Sequence, residues 1–284
     1  MQRTVAKVVT LSGTGLHSGR PVELVIAPAA VDSGIKFVRS DLSAFSPLPA
    51  LYSNVGDTRN CTCLSDAAGN VVSTIEHLMA ALCVARIDNA LISLNSPEMP
   101  IMGGGAAEFF AGLQAAGIAE QSAAGRRIRV LRPVEFRDDK GNYAALAPHN
   151  DFAVHFTIDF PSPIVGHQEF DHEITAEIFA SQIAPCRTFC EKSQIDYLRS
   201  IGLIKGGSLD NAVVLDGDKI LNPDGFKVSG ECVNHKVLDA IGDMYTAGLP
   251  LLGRLTGFRS GHFHNNRLLQ VLFADKSNYT IEEY

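Results

Sequence analysis

The first half of the chain alternates between strand-like and helix-like patterns. Apolar and β-branched residues in VAKVVTL and VELVIAP flank the Ser/Gly-rich turn SGTGLHSGR, which predicts a strand pair over residues 4–28. GIKFVRS, near position 34, and ALISL, at 90–94, predict two further strands. The patterns at about 74–86 and 106–117 predict helices instead. The first half is therefore predicted to mix strands and helices.

The second half follows a similar plan. IRVLRPVEF, GNYAALAP and the strongly alternating DFAVHFTIDF predict strands, and AVVLD predicts another at 212–216. Helices are predicted at about 175–183, 191–201 and 230–247. A polar and basic segment at 119–129 separates this half from the first.

The order of strands followed by helices in each half indicates the fold class. It predicts an α+β fold of two similar domains, residues 1–122 and 127–284, although no repeat is detectable as sequence identity. A chain of 284 residues is long enough to form two cores and to bury a site.

Composition limits the kinds of partner that the protein can bind and indicates its cellular location. The formal net charge of −7 and the pI near 5.7 give no electrostatic reason to bind nucleic acid. The first apolar run is too short for an export signal, and no run approaches the roughly 18 apolar residues of a membrane helix. The six cysteines lack paired C-x-x-C spacing and predict free thiols. We therefore expect a cytoplasmic protein with no nucleic-acid partner and no transmembrane segment.

The predicted helix at 230–247 carries a set of polar residues on one face. His235, Asp239 and Asp243 lie at successive i, i+4 steps, so their side chains project from neighbouring points. A histidine and a carboxylate one turn apart can provide two ligands to a metal, and the third must then come from elsewhere in the chain. The H-x-x-x-D pattern by itself is also common on solvated helix faces, and both interpretations stand at this point.

The segment STIEHL, at the start of the predicted helix at 74–86, also has two interpretations. Ser73 and Glu76 have the S-x-x-E spacing of a capping box, in which Glu76 would only accept a backbone amide. Alternatively, Glu76 is a general base beside a metal-bound water and His77 is the third metal ligand. Spacing alone does not decide between them.

The segment SGHFHNN, at 260–266, contains two more histidines. In a strand or turn, His262 and His264 would point to opposite sides, so at most one would enter a given site. We interpret the histidines without a partner at a telling spacing as surface or structural residues: 17, 149, 155, 167, 172 and 264.

Taken together, the motifs resemble those of one family, the UDP-3-O-acyl-N-acetylglucosamine deacetylases, which are zinc enzymes of lipid A biosynthesis. The resemblance extends over nearly the whole chain and rests on TLSGTGLHSGRPVELVIAPA, CTCL, STIEHLMAAL, IDNALISLNSPEMPIMGGGAAEF, CRTFC, GLIKGGSLDNAVV, LNPDGFKVSGECVNHKVLDAIGD and SGHFHNNRLL. It implies two α+β domains, each with helices packed against a sheet, and an active site at the domain interface. It also implies hydrolysis of the acetamide of an acylated UDP-sugar.

The resemblance implies a role for each of the motif residues. One catalytic Zn²⁺ would be bound by His77, His235 and Asp239, leaving a position for water, with Glu76 as the base; Fe²⁺ can occupy the same ligands in the cell.

A second group of residues would act on the substrate. His262 would be a protonated histidine oriented by Asp243, and Thr188 would help to hold the oxyanion. Lys236 would contact the nucleotide-sugar portion, and Phe189 would lie in the substrate cleft. The residues implied to line an apolar passage for the acyl chain are Leu16, Ile195, Ile204, Ser208 and Val214.

The chain departs from the family pattern in a few places. Gly103, Gly104 and Gly105 stand where the family usually has Asp-Gly-Ser, which predicts a looser loop. Leu209 stands where an aromatic residue often lies in the passage.

Two alternatives to this function remain. A zinc hydrolase of another N-acetyl sugar or of a peptide would not require both the UDP and the acyl group. A non-catalytic nucleotide-sugar binding protein would need no base beside a metal. We expect a monomer.

Overall fold

The computed structural model describes residues 1–284 and confirms a mixed α and β fold. Its strands, in chain order, are β1 (Arg3–Val5), β2 (Val9–Thr14), β3 (Pro21–Pro28), β4 (Ile35–Arg39), β5 (Leu48–Pro49), β6 (Val55–Asp57), β7 (Cys63–Ser65), β8 (Val71–Val72), β9 (Ala90–Leu94), β10 (Ile118–Glu120), β11 (Arg126–Val130), β12 (Val134–Arg137), β13 (Tyr143–Ala147), β14 (Phe152–Asp159), β15 (His167–Glu173), β16 (Thr188–Glu191), β17 (Ala212–Asp216), β18 (Lys219–Ile220), β19 (Leu251–Phe258) and β20 (Tyr279–Glu283).

Six α-helices accompany these strands: α1 (Glu76–Ala85), α2 (Ala107–Ala116), α3 (Ala176–Ile178), α4 (Lys192–Ser200), α5 (Glu231–Tyr245) and α6 (His262–Ala274). The short α3 continues as a π-helical turn over Phe179–Ile183. The helices predicted at 74–86, 106–117, 175–183, 191–201 and 230–247 are therefore confirmed, with ends that differ by one or two residues.

Two main sheets organise the fold. The first half forms a five-stranded sheet in the order β2-β3-β9-β4-β5, in which β9 runs antiparallel to β3 and parallel to β4. The second half forms a seven-stranded sheet in which the long β19 pairs with β11, β13 and β14. Helices α5 and α6 contact this second sheet, and α2 contacts the first.

Three small sheets complete the topology: β1-β10, β6-β7-β8 and β16-β17-β18. In the last of these, Thr188 at the start of β16 lies beside Ala212 in parallel register. The exposed helix α4 follows β16 directly and contacts both β16 and β17. Residues of this third sheet and of α4 line the cavity described below.

The most extensive helix–helix contact joins α1 from the first half to α5 from the second. Apolar residues on α5, including Val237, Leu238 and Ile241, are fully buried in a hydrophobic core that continues across both halves. The helices approach closely because Gly242 has no side chain: a Cβ there would overlap the carbonyl oxygen of Glu76. The contact therefore brings the start of α1 against the middle of α5.

No helix of the chain combines the length and the apolar character needed to span a membrane. All six cysteines are free thiols. The domain limits at 122 and 127 stay a prediction.

Candidate active site

The α1–α5 contact brings His77, His235 and Asp239 together. Each is almost fully buried. The Nε2 atoms of both histidines lie 3.5 Å from Oδ1 of Asp239, and the imidazole rings meet edge to face at 5.1 Å. Tetrahedral zinc with ligand bonds of about 2.1 Å separates its ligands by about 3.4 Å, so these three atoms have the spacing of a metal site.

Two contacts prepare these side chains to bind a cation. Nδ1 of His235 lies 3.1 Å from the carbonyl oxygen of Cys186 and donates its proton to it, which leaves the lone pair of Nε2 free to bind a metal. Burial lowers the pKa of His235 to about 4, so its imidazole is neutral at neutral pH. Burial by itself would raise the pKa of Asp239, but the charge of Lys236 outweighs it and holds that pKa well below its usual range. The ammonium of Lys236 donates to Oδ2 of Asp239 at 2.6 Å.

Glu76 is the first residue of α1 and is buried. Its Oε2 accepts a hydrogen bond from the backbone N–H of Thr62 at 3.0 Å, while Ser73 donates its hydroxyl to Pro97. The capping-box interpretation is therefore wrong, because Glu76 bonds to a distant loop and no side chain caps α1. Burial raises the pKa of Glu76, partly opposed by the charge of His262, and this favours proton uptake.

His262 and Asp243 form a buried pair next to Glu76. Nδ1 of His262 lies 2.8 Å from Oδ2 of Asp243, which also accepts from the Asn265 amide at 2.8 Å. Burial opposes protonation of His262, but the carboxylate of Asp243 outweighs it and raises the pKa of His262 to about 9. Donor atoms of Glu76, Asp239 and His262 lie within 4.8 Å of one another. A buried carboxylate and a cationic imidazole therefore face the same point beside the three candidate ligands.

One local prediction here is wrong. Residues 260–266 form no strand: His262 is the first residue of α6, which follows an extended Gly261. His262 and His264 both line the same cavity, so the expectation that only one would reach it is also wrong. His264 contacts Asp138 at 3.1 Å, away from the Asp243 pair.

Thr188 enters the site from β16, held by a glycine loop. Its N–H donates to the carbonyl oxygen of Gly104 at 3.1 Å. A Cβ on Gly104 would overlap the backbone of Asn211, and one on Gly105 would overlap the carbonyl oxygens of Ala184 and Cys186. The expected looseness of this loop is therefore wrong: without side chains, the loop packs directly against neighbouring backbone.

A buried ion pair anchors the segment before Thr188. The guanidinium of Arg187 donates to Glu231 at 2.9 and 3.3 Å, and the Arg187 N–H donates to the same carboxylate. Glu231 is the first residue of α5, one turn before His235. Arg187 also reaches Asp224 at 3.2 Å. This pair fixes the strand bearing Thr188 to the helix bearing two of the candidate ligands.

One cavity of about 850 Å³ is lined by Glu76, His77, Thr188, His235, Asp239 and His262. Its walls include every residue predicted for the acyl passage and the cleft, namely Leu16, Ile195, Ile204, Ser208, Val214, Phe189 and Lys236. Phe189 lies edge to face with Phe160 at 5.3 Å. Of the predicted catalytic and metal residues, only Asp243 does not line the cavity, because it lies behind His262.

Sequence reasoning missed His17 as part of this wall. The sequence predicts a surface or structural residue at this position, whereas His17 lines the cavity and both of its ring nitrogens are buried without a hydrogen-bond partner. Burial lowers the pKa of His17, although Glu98 opposes the change. The only available signal is its place in the glycine-rich turn at 12–20.

Three convergent ligands, an adjacent buried carboxylate and a cationic histidine on a deep cavity define a metal-dependent hydrolase. Comparison of the sequence with known protein families shows which family of hydrolases the chain belongs to. A family model described as LpxC, UDP-3-O-acyl N-acetylglycosamine deacetylase, matches residues 2–274, and the chain belongs to this family.

The relatives agree with that assignment. A UDP-3-O-acyl-N-acetylglucosamine deacetylase of Legionella pneumophila (strain Corby) is 45% identical over 284 residues, covering 98% of this chain and 92% of that protein. One from Shewanella baltica (strain OS155) is 44% identical over 285 residues, covering 100% of this chain and 93% of the relative. One from Shewanella halifaxensis (strain HAW-EB4) is 43% identical with the same coverage. The resemblance seen in the sequence motifs is thereby confirmed.

Proposed function

We propose that this protein hydrolyses the acetamide of UDP-3-O-acyl-N-acetylglucosamine, releasing acetate and the free 2-amino sugar nucleotide for lipid A biosynthesis. The observation that carries the proposal is the convergence of Glu76 and His262 on the point faced by the three candidate metal ligands. Family membership supports the same substrate.

The candidate ligands fit Zn²⁺ best. Two imidazole nitrogens and one carboxylate oxygen, at the spacing described, suit an open catalytic zinc site, and Fe²⁺ suits the same donors. Bound zinc supplies a Lewis acid and lowers the pKa of a water to about 7. The hydrogen bond from His235 to Cys186 and the one from Lys236 to Asp239 orient the ligands.

Glu76 acts as the general base. Its carboxylate accepts the proton of the attacking water, and its raised pKa lets it hold that proton. The bond from Thr62 occupies Oε2 and leaves Oε1 free to reach the water.

Thr188 stabilises the negative charge that develops on the carbonyl oxygen. Its hydroxyl makes no hydrogen bond within the protein and lines the cavity, so it is available to donate. One such donor, placed before the reaction, is typically worth about 3 kcal/mol.

His262 protonates the leaving amine, which would otherwise depart as a strongly basic anion. With a pKa of about 9, its imidazolium is populated at neutral pH and still acidic enough to transfer a proton. Asp243 keeps the ring oriented through Nδ1, so Nε2 carries the transferred proton.

The remaining cavity residues select the substrate. Lys236 would contact the nucleotide-sugar portion, and Phe189 would form a wall of the cleft. Leu16, Ile195, Ile204, Ser208 and Val214 would surround the acyl chain, where each buried CH₂ contributes about 0.8 kcal/mol. Two domains with the site between them, a cytoplasmic location and a monomeric state are part of the same proposal.

The test is acetate release from a UDP-3-O-acyl-N-acetylglucosamine by the purified protein, before and after chelation and zinc restoration. We expect loss with chelator, recovery with zinc, and a fall of about 100-fold or more in kcat for Glu76→Ala and His262→Ala. His172→Ala, an exposed histidine away from the cavity, is the matched control. Substrate binding without acetate release in any metal state would instead identify a nucleotide-sugar binding protein. Release from substrates lacking the UDP or the acyl group would indicate a different hydrolase.

A further inference from the structure

Thr62 lies at the junction of the two proton-transfer groups but outside the cavity. It occupies the loop between β6 and β7 and is only 2% exposed. The cavity wall includes Thr58, Asn60 and Thr74 but not Thr62. Any effect of Thr62 on the reaction therefore passes through other side chains.

Thr62 makes one hydrogen bond through its backbone N–H and another through its side-chain hydroxyl, each to a different carboxylate of the site. Its backbone N–H donates to Oε2 of Glu76 at 3.0 Å, and its hydroxyl donates to Oδ1 of Asp243 at 2.5 Å. The same hydroxyl oxygen lies 3.2 Å from Nδ1 of His262. One residue thus contacts the carboxylate of Glu76 and both members of the His262–Asp243 pair.

The hydroxyl completes the set of donors around Asp243. Oδ2 is approached by His262 and by the Asn265 amide, whereas the Thr62 hydroxyl is the side-chain donor to Oδ1. A buried carboxylate oxygen without a donor is costly, and the carboxylate would turn to find one. Thr62 therefore fixes the plane of the carboxylate that orients His262.

We infer that Thr62 is a positioning residue that sets the distance and orientation between the base Glu76 and the His262–Asp243 pair. This inference rests on the proposed function, in which those groups transfer protons in succession at one reacting centre. A misplacement of about 1 Å in such groups can lower the rate about 100-fold. The requirement is for a hydroxyl at this position, which threonine and serine satisfy and valine does not.

The experiment compares Thr62→Val, which keeps the shape and the backbone N–H, with Thr62→Ser, which keeps the hydroxyl. We expect Thr62→Val to lower kcat by about 10- to 100-fold with KM changed less than about 2-fold, because Thr62 does not line the cavity. Thr62→Ser should restore kcat to within about 3-fold of wild type. In an Asp243→Ala background, Thr62→Val should have no further effect beyond about 2-fold, because both changes remove the same orientation.

Thr4→Val is the matched control, since Thr4 is also a buried threonine with a hydrogen-bonded hydroxyl, but lies in β1. Zinc content and thermal unfolding are measured for every variant, and Thr62→Ala replaces Thr62→Val if the latter does not fold. A kcat for Thr62→Val equal to that of Thr4→Val would overturn the inference while leaving the proposed function intact. Failure of Thr62→Ser to restore kcat, or a full additional loss in the Asp243→Ala background, would also overturn it. Absence of acetate release by the wild type would overturn the proposed function and this inference with it.

Discussion

Gly242 packs directly against the backbone of Glu76, and a side chain at position 242 would overlap the Glu76 carbonyl oxygen. The candidate base therefore sits at the crossing point of α1 and α5. The absence of a single methyl group sets how closely the two helices approach.

Replacing this glycine should move the base. We expect Gly242→Ala to force α1 and α5 apart, destabilising the protein by about 1–3 kcal/mol and lowering kcat by about 100-fold. Chemical denaturation and acetate-release kinetics measure the two effects. The control is Gly112→Ala in α2, where the new methyl meets no backbone atom, only the side chains of Val9 at 3.1 Å and Leu11 at 3.9 Å. Equal behaviour of the two variants would show that the helix crossing does not position Glu76.

The His262–Asp243 pair predicts the alkaline limb of the pH profile. Because the pKa of His262 is raised to about 9, we expect kcat to fall as pH rises through about 9, as the imidazolium loses its proton. In Asp243→Asn the largest of the charges that raise the pKa of His262 is gone and burial still lowers it, so the limb should move to lower pH. Rate profiles between pH 6 and 10.5 test this, and an unmoved limb in the variant would assign the titration to another group.

The same pair predicts how stability depends on pH. The folded-state pKa of His262 lies above its usual value of 6.5. Its contribution is therefore fully present below about pH 6.5 and is lost as pH rises through about 9. We expect the free energy of unfolding to decline across that window in the wild type and to be flatter in His262→Gln. Urea denaturation at a series of pH values provides the measurement, and parallel curves would contradict the prediction.

Metal removal should destabilise the fold as well as stop the reaction. Zinc that binds only the folded state contributes about 2.7 kcal/mol at 100 times its Kd, or about 4–5 °C in Tm for a chain of this size. We expect the Tm to fall by this amount in chelator and to recover on adding zinc. His235→Ala should show no zinc-dependent shift. A wild-type Tm indifferent to zinc would argue against His77, His235 and Asp239 as ligands.

The Arg187–Glu231 pair should be essential to stability. Both side chains are almost fully buried, so removing either leaves an uncompensated charge. We expect Arg187→Met or Glu231→Gln to cost about 3–5 kcal/mol. Arg129→Met is the control, because the ion pair of Arg129 with Glu282 is partly exposed and should contribute much less to stability. Similar losses in both pairs, measured by denaturation, would contradict this account.

The apolar wall should determine the preferred acyl chain. Leu16→Ala removes apolar surface worth about 1–3 kcal/mol, so kcat/KM for a long-chain substrate should fall about 10- to 100-fold, and for a short-chain substrate much less. Leu131→Ala, at an exposed site outside the cavity, is the control. An equal loss for both chain lengths would place the acyl chain elsewhere.

Much of this site could be predicted because its strongest signals are local. His235, Asp239 and Asp243 share a helix face, and the periodicity of α5 was evident from its apolar residues. The C-terminal histidines were harder to place: H-F-H alternates like a strand, and α6 begins after Gly261 with no capping side chain. The local sequence therefore predicts the wrong secondary structure for the start of α6, although it indicates His262 as a candidate site residue.

The remaining relationships depend on contacts between distant parts of the chain. Thr62 meets Asp243 across 181 positions, and the role of Glu76 depended on whether its partner was a nearby amide or that distant loop. Gly242 carries no signal, because a helical glycine does not indicate what will pack against it, and the only signal for His17 is its place in the glycine-rich turn. Family resemblance gave the roles of several residues, but only the fold gives these distances.

The α1–α5 crossing also implies that the proposed metal site is completed late in folding. One candidate ligand arises from the first half and two from the second, so a nascent chain has no complete ligand set until both helices exist and dock. A partly synthesised or half-folded molecule would hold zinc weakly and lose it to competing chelators. Tight zinc retention would thus report that the two halves have been joined correctly.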